Sequence, residues 1–417
     1  MGDRAAVVGA GITGISAAIW LARAGWQVTL IDRGRPGEAQ QASYGNAGVL
    51  ARSSVVPLAM PGLAWQLPRL AADPGGPLFL RRSGLGRLIP WGIALMANAT
   101  EARARAISAV LARLTTDAID QHAALAEGTG AERHLRRGEW LWLYRDEAAF
   151  RRDARGHALR QAAGFPCRPC DMAALGRADP ALGPAIGHAV AYPDHGWITD
   201  PGAYLAALGQ AFAARGGQIV TAEVVAVAPG RVTLRGGAEL AAERIIIAAG
   251  IWSRPLAEAL GLRVPMISER GYHLMLRNPS AMPPVPCMVA GPRVVATPME
   301  GGLRLAGIVE LAATEAPPEE APVALLRRTL RQVWPGLVWT DEEVWMGHRP
   351  STPDSLPLLG EIPGAPGVIC AFGGQHVGLT IGPRLGRMAA RIARGLAPDI
   401  DPGPLAPGRF ARRGRGA

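Results

Sequence analysis

The chain has 417 residues, 49% hydrophobic and only 19% charged, which is enough to bury a sizeable core and build two domains. Its 53 glycines and 36 prolines are spread between periodic apolar segments, which excludes a low-complexity or disordered chain. All 44 basic residues are arginines, so the net charge is +10 and the lack of lysine excludes Schiff-base catalysis and a lysine general base.

Ala5-Ala-Val-Val8 predicts a short buried strand rather than a secretory leader. Gly9-Ala-Gly11-Ile-Thr-Gly14 follows at once, then a helix over Ile15–Ala24, then a second strand from Trp26 that closes on Asp32. This is a complete βαβ start. Gly9 permits the tight turn, Gly11 lets the backbone approach a pyrophosphate, and Gly14 lets helix and sheet pack closely. The helix N-terminus offers free N–H groups and a positive dipole end to phosphates. Asp32 stands eighteen residues after Gly14, where a carboxylate meets ribose hydroxyls. A dinucleotide is expected here. Gly84-Leu-Gly86 lacks a third glycine and a preceding strand, so one nucleotide site argues for a single tightly held flavin.

Downstream, Ser43 and Asn46 lie in a polar segment that either contacts the cofactor or forms an Asx-type turn; spacing leaves both open. Residues 52–135 read as mainly helical. The apolar stretch Leu85–Ala99 is expected as a core or interface helix, with a membrane surface as the alternative. Gly138–Tyr144 reads as a strand, Asp194–Pro201 as a loop before a helix over Tyr204–Arg215, and Gln218–Leu234 as two strands around Pro229-Gly230. Arg244-Ile-Ile-Ile-Ala-Ala-Gly250 reads as a buried strand of the kind found in parallel sheets, ending at the glycine. From Pro265 to about Trp339 the pattern turns antiparallel. No apolar run reaches the ~18 residues of a spanning helix. Cys167 and Cys170 form a lone CxxC without further ligands, which reads as ordinary thiols, and no metal site is expected. The scattered arginine pairs carry no nucleic-acid motif, and Arg409–Arg415 reads as a disordered basic tail. The expected setting is cytoplasmic, with peripheral contact at the inner membrane face left open.

Six segments together resemble the FAD-dependent D-amino-acid dehydrogenases, within the amine-oxidising flavoproteins that include D-amino-acid and glycine oxidases. They are Gly9–Gly14 with Asp32, Ser43–Gly48, Ile245–Ser253, Arg270–His273, Gly347–Gly360 and Gly374–Gly382. Glu269–His273 and His376–Thr380 look most like the branch that oxidises D-proline and cis-4-hydroxy-D-proline. The resemblance implies an α/β fold: a Rossmann-type FAD-binding domain from 1–51, 193–262 and 340–417, and an α+β substrate domain on an antiparallel sheet from 52–192 and 263–339.

It further implies noncovalent FAD held by Gly9, Gly11, Ile12, Thr13, Gly14, Asp32, Arg33, Ser43, Asn46, Ala47, Gly48, Val224, Ala249, Gly250 and Trp252, and by Gly374, His376, Val377, Gly378, Leu379 and Thr380. The helix near Leu379 and Thr380 would point N–H groups at the flavin. His376 either shapes the flavin pocket or caps the turn. Arg349 matches the position that clamps a substrate carboxylate, with Arg270 and Arg304 as weaker candidates, and Tyr272 and His273 are pocket walls or amine-side partners. The implied reaction is hydride transfer from Cα to the flavin of a D-amino or imino acid, with electrons passed to a quinone or another carrier. A glycine- or sarcosine-type oxidase, or an electron-relay subunit of a larger complex, is the alternative.

Overall fold

The computed structural model describes residues 3–65, 76–81 and 85–411. The strand Arg4–Val8 runs parallel to Gln27–Asp32 on one side and to Arg244–Ile247 on the other, so Val8 lies opposite both Ile31 and Ile247. Val368–Phe372 and Gln218–Thr221 extend the sheet in parallel, and Leu358–Glu361 closes one edge antiparallel, making six strands. Ile245, Ile246 and Ile247 have no exposed surface, as a strand covered on both faces requires. A three-stranded antiparallel sheet is built from Val224–Ala228, Arg231–Leu234 and Glu239–Ala241.

Two helices lie together on one face of the parallel sheet, Ile12–Arg23 and Gly378–Ala393. Their contact depends on missing side chains. A Cβ at Gly382 would stand 2.5 Å from Ile12 Cγ2, and one at Gly386 2.5 Å from the Thr13 carbonyl. The Ser16 hydroxyl donates to the Pro383 carbonyl at 2.9 Å across the same seam. The C-terminal segment is thereby locked to the nucleotide turn although the two are far apart in sequence.

The second sheet has ten strands and is mainly antiparallel. Ile267–Arg277 sits between Asp341–Ser351 and Gly302–Leu311, and Leu135–Tyr144 with His188–Ile198 forms the far half. One face packs Tyr272, Leu274, Leu303 and Leu305 against Leu326 and Leu330 of the helix Glu320–Val333. The other face turns towards the nucleotide-binding sheet.

Several expectations change. Asp194–Ile198 is not a loop but the second half of the strand His188–Ile198, with an irregular register opposite Gly138–Trp140 and a left-handed Asp194 (φ 56°). Gln218–Leu234 holds three strands, with the turn at Pro229-Gly230 where expected. Within 52–135 the helices Leu85–Ala97, Glu101–Thr115 and Ala118–Ala126 are preceded by a short strand, Leu78–Leu80, and residues 66–75 and 82–84 lie outside the described residues. Asp341–Ser351 pairs along its length with Ile267–Arg277, so the chain leaves the large sheet after Ser351 rather than at 340. Arg409 is not part of a loose tail: its guanidinium holds Asp354 at 2.7 Å and the Leu356 carbonyl at 2.8 Å. Residues 412–417 lie outside the described residues.

Candidate active site

A cavity of about 990 Å³ lies between the two sheets, at the upper end of the range for ligand sites. It begins at the carboxyl ends of the parallel strands, where open α/β sheets bind ligands. Gly9 takes φ 108°, and a Cβ there would stand 2.5 Å from the Ala248 carbonyl. A Cβ at Gly14 would lie 1.8 Å from the Gly9 carbonyl, so turn and helix touch backbone to backbone. The N-cap residue of the helix Ile12–Arg23, Gly11, brings no capping side chain and the first turn holds no acidic residue, so its positive end faces the cavity. Asp32 Oδ2 accepts from Ala10 N at 2.6 Å and so also braces the turn. Arg33 stacks over Trp252 at 4.5 Å, and both line the cavity.

Asn46 makes the local turn that its sequence allowed, and Ser43 bonds to the start of the first helix instead. The Ser43 hydroxyl accepts from Ile12 N at 3.1 Å, and Asn46 Oδ1 accepts from Gly48 N at 2.9 Å in a local turn; both residues also line the cavity. Of the residues expected at the cofactor, all but Gly14 and Gly48 line it. Those two are buried behind it: a Cβ at Gly48 would meet the Ile198 carbonyl at 2.6 Å.

The far end is closed by Ala371–Thr380. Gly373 has φ 85° and Gln375 φ 51°, and Gln375 Nε2 donates to Thr352 Oγ1 at 3.0 Å. Gly378 opens the last long helix, and a methyl group there would meet no protein atom within 4 Å. His376 opens onto the cavity with much of its side chain exposed there; desolvation by the surrounding protein holds its pKa below the ordinary imidazole value, with Glu269 opposing and Arg349 and Arg293 reinforcing. His122 supports this end from behind. Its Nε2–H donates to the Leu379 carbonyl at 2.9 Å and its Nδ1 accepts from Tyr204 Oη at 3.0 Å. Burial lowers its pKa to about 4.

Arg349 lies on the cavity wall with its guanidinium over Gly271, where a Cβ would stand 2.3 Å from Nη2. A bulge in the facing strand, with Gly307 at φ 154° and Ile308 at φ 57°, presents two carbonyls to it. Nη1 donates to Ile308 O at 2.8 Å and Nη2 to Gly307 O at 2.9 Å. Glu269 is 3.7 Å away and accepts instead from Ser351 Oγ at 2.6 Å. A guanidinium has five N–H donors, so donors remain for a carboxylate. A left-handed β-branched residue such as Ile308 is costly, and it stands where it shapes the site.

Tyr272 stands in the cavity wall, one of the two roles expected of it, whereas His273 does not. Tyr272 contributes to the lining, but its hydroxyl donates to Glu310 at 2.6 Å and accepts from Glu319 N at 3.2 Å. Burial and the Glu310 bond raise its pKa to about 12. His273 is absent from the lining; it donates to the Gly45 carbonyl at 3.0 Å and stacks on Trp345, with its pKa lowered to about 3 by burial. The strand alternates, so these neighbours face opposite ways, and each is already engaged. Arg270 and Arg304 are also outside the lining. Arg270 pairs with Glu310 at 3.1 Å, and Arg304 donates to the carbonyls of Tyr44 and Asn46.

A family model for the DAO group, described as FAD-dependent oxidoreductases, matches residues 4–392. The chain belongs to this family. It is 36% identical to a D-amino-acid oxidase of Bradyrhizobium diazoefficiens, across 98% of this chain and 99% of the relative. Its fold is similar to glycine oxidase from Geobacillus kaustophilus (TM-score 0.72, 22% identity, 98% and 99% of the two chains). It is also similar to an L-proline dehydrogenase from P. horikoshii (TM-score 0.69, 17% identity, 99% and 98%). An oxidase and a dehydrogenase thus share this fold, which by itself does not choose an electron acceptor.

The protein is an FAD-dependent oxidoreductase acting on amino groups. Its residues fit the cofactor: Gly9 and Gly11 with the positive end of the helix suit the pyrophosphate, and the open backbone at Gly378–Thr380 suits the ring. Motif reading missed the remaining wall, made by Leu58, Trp91, Trp140, Trp142, Arg160 and Met288. The apolar alternation of Trp140 and Trp142 on one strand was the available signal. Trp91 belongs to the helix Leu85–Ala97, which buries Trp91 and Leu95 and exposes Ile89 and Ile93. Among the described residues, no helix is long and apolar enough to cross a membrane.

Proposed function

We propose that this enzyme oxidises a D-amino acid or cyclic D-imino acid, such as D-proline or cis-4-hydroxy-D-proline, and passes the electrons to a quinone or another carrier. Arg349 carries the reading. It is a cation on the cavity wall, fixed by two carbonyls and with donors to spare, suited to a bidentate grip on a substrate carboxylate. Bound FAD supplies the two-electron acceptor for the substrate Cα–H. The chain's own work is to hold the carboxylate at Arg349 and to exclude bulk water with the Trp91, Trp140 and Trp142 wall. The substrate nitrogen enters deprotonated, so no side-chain base is required for C–H cleavage. The product imine leaves as such or hydrolyses to an oxo acid and ammonia.

The D configuration is supported by the resemblance and by the curated relative. Noncovalent attachment is supported by Cys370, which is buried in its strand and outside the cavity lining. A carrier rather than oxygen is favoured by the lack of any lysine ammonium to promote oxygen reduction. Oxygen is the second reading, favoured because the curated relative is an oxidase. The test is anaerobic mixing of flavin-loaded protein with D- and L-amino acids, including D-proline and the hydroxyprolines, followed by flavin absorbance. Bleaching by D-isomers is expected, and bleaching by L-isomers alone overturns the assignment. Reoxidation should be slow with oxygen and fast with a quinone; rapid stoichiometric peroxide selects the oxidase reading.

A further inference from the structure

Arg160 is a buried cation in a wall that is otherwise aromatic and aliphatic. It projects from the helix Ala154–Ala162, is 4% exposed, and lines the same cavity as Arg349, beside Trp140, Trp142 and Met288. Among the described residues its Nε and Nη1, both fully enclosed, have no hydrogen-bond partner, and Asp153, the carboxylate paired with it, is 3.7 Å from Nη1. Its Cζ stands 4.2 Å above the Trp142 ring and 5.7 Å from that of Tyr192. Stacking of this kind fixes the plane of a guanidinium without using its N–H donors.

The helix is also held firmly. His157, three residues earlier, bonds through Nε2 to Tyr144 Oη at 2.8 Å and through Nδ1 to Tyr192 Oη at 2.5 Å. Gly156 leaves room for the guanidinium: a Cβ there would be 3.1 Å from Arg160 Nη1 and 2.8 Å from Asp153 Oδ1. A buried, oriented guanidinium with unmatched donors is unfavourable unless something accepts from it.

We propose that Arg160 determines specificity by donating to an oxygen, a hydroxyl or a carboxylate, that the substrate carries away from Cα. The inference rests on the proposed function, with Arg349 holding the α-carboxylate and Arg160 the distal acceptor. The substrate class is then a D-amino or imino acid with an oxygen on its side chain or ring, rather than an aliphatic one.

The test compares wild type with Arg160→Met, which keeps an apolar chain against Trp142, and with Arg160→Lys, which keeps the charge. The readout is the ratio of kcat/KM for cis-4-hydroxy-D-proline over D-proline, and for D-glutamate over D-norvaline. The two ratios separate a hydroxyl from a carboxylate acceptor. At least one should fall about tenfold or more in Arg160→Met, the scale of a lost charge-assisted hydrogen bond, and recover in part in Arg160→Lys. Equal losses for both members of each pair, or none, overturn the inference and leave the D-amino-acid reading intact. A second measurement does not depend on turnover: titration of the flavin-loaded protein with glutarate and with butyrate, read by flavin absorbance. Tighter glutarate binding that disappears in Arg160→Met supports the assignment even if no amino acid bleaches the flavin, and indifference to the substitution refutes it.

Discussion

The two ends of the cavity are made of different material. The nucleotide end is backbone: Gly9, Gly11 and Gly14 form one continuous turn, and the close contacts there are between main-chain atoms or involve atoms next to them. The substrate end is side chain, and its parts come from five separate segments, with Trp91, Trp142, Arg160, Glu269 and Arg349 each on a different element. A backbone site tolerates no added atom, whereas a side-chain site can lose a residue and keep its fold. Damage at the first end should therefore remove the cofactor, and damage at the second should remove the substrate.

The largest effect is expected at Gly14. In Gly14→Val a methyl group must enter space held by the Gly9 carbonyl 1.8 Å away, and FAD affinity should fall about a hundredfold or more. Purified variant should lack flavin absorbance, and a full complement of FAD would contradict the contrast. Arg349→Ala should raise KM by about a hundredfold through the lost charge-assisted pair. Here FAD should stay bound; its loss would make Arg349 a cofactor residue. Arg349→Lys should recover little, because an ammonium cannot reproduce the fork held by the Gly307 and Ile308 carbonyls.

Acid should loosen two buried histidine supports together. His122 carries the Leu379 carbonyl, and His195 accepts from Ser53 N and shares a hydrogen bond with its hydroxyl, at 3.1 and 2.9 Å. Burial lowers both pKa values to about 4, below the unfolded value of about 6.5. The unfolded chain thus takes up these protons first. Stability is complete above about pH 6.5 and falls as pH drops towards 4, by on the order of 2 kcal/mol for each histidine. Chemical denaturation at several pH values measures this, and a flat profile between those limits would remove it.

The smallest effects come from two glycines one turn apart. Gly378→Ala meets no protein atom within 4 Å and lines the cavity, so it should leave folding intact and weaken FAD by roughly tenfold. Gly382→Ala would bring a methyl group 2.5 Å from Ile12 Cγ2 and should cost about 1–3 kcal/mol of stability. Thermal unfolding and flavin titration of the pair separate the two roles, and matching behaviour would blur the distinction between cradle and seam.

The sequence by itself determined the βαβ start, the parallel core strand Arg244–Ile247, the antiparallel pattern after Pro265 and the glycine turn before the last helix. In each, the restraint is local: φ at Gly9, close approach at Gly14, or the period of apolar residues. Ser43 and Asn46 were legible as polar loop residues, and the bond from Ile12 N to Ser43 emerged only once the loop met the first helix. Tertiary structure alone decided which strand neighbours face the cavity. Gly271, Tyr272 and Arg349 do, with the Tyr272 hydroxyl tied to Glu310, while His273 is held at Gly45 outside the lining, because a bulge and the pairing register fix the direction of each side chain. It also decided that Arg160, an unremarkable helical arginine in the sequence, lies across Trp142 in the wall of the site. Motifs report what the backbone must do locally, whereas a wall assembled from distant side chains exists only when the strands that carry them have found their register.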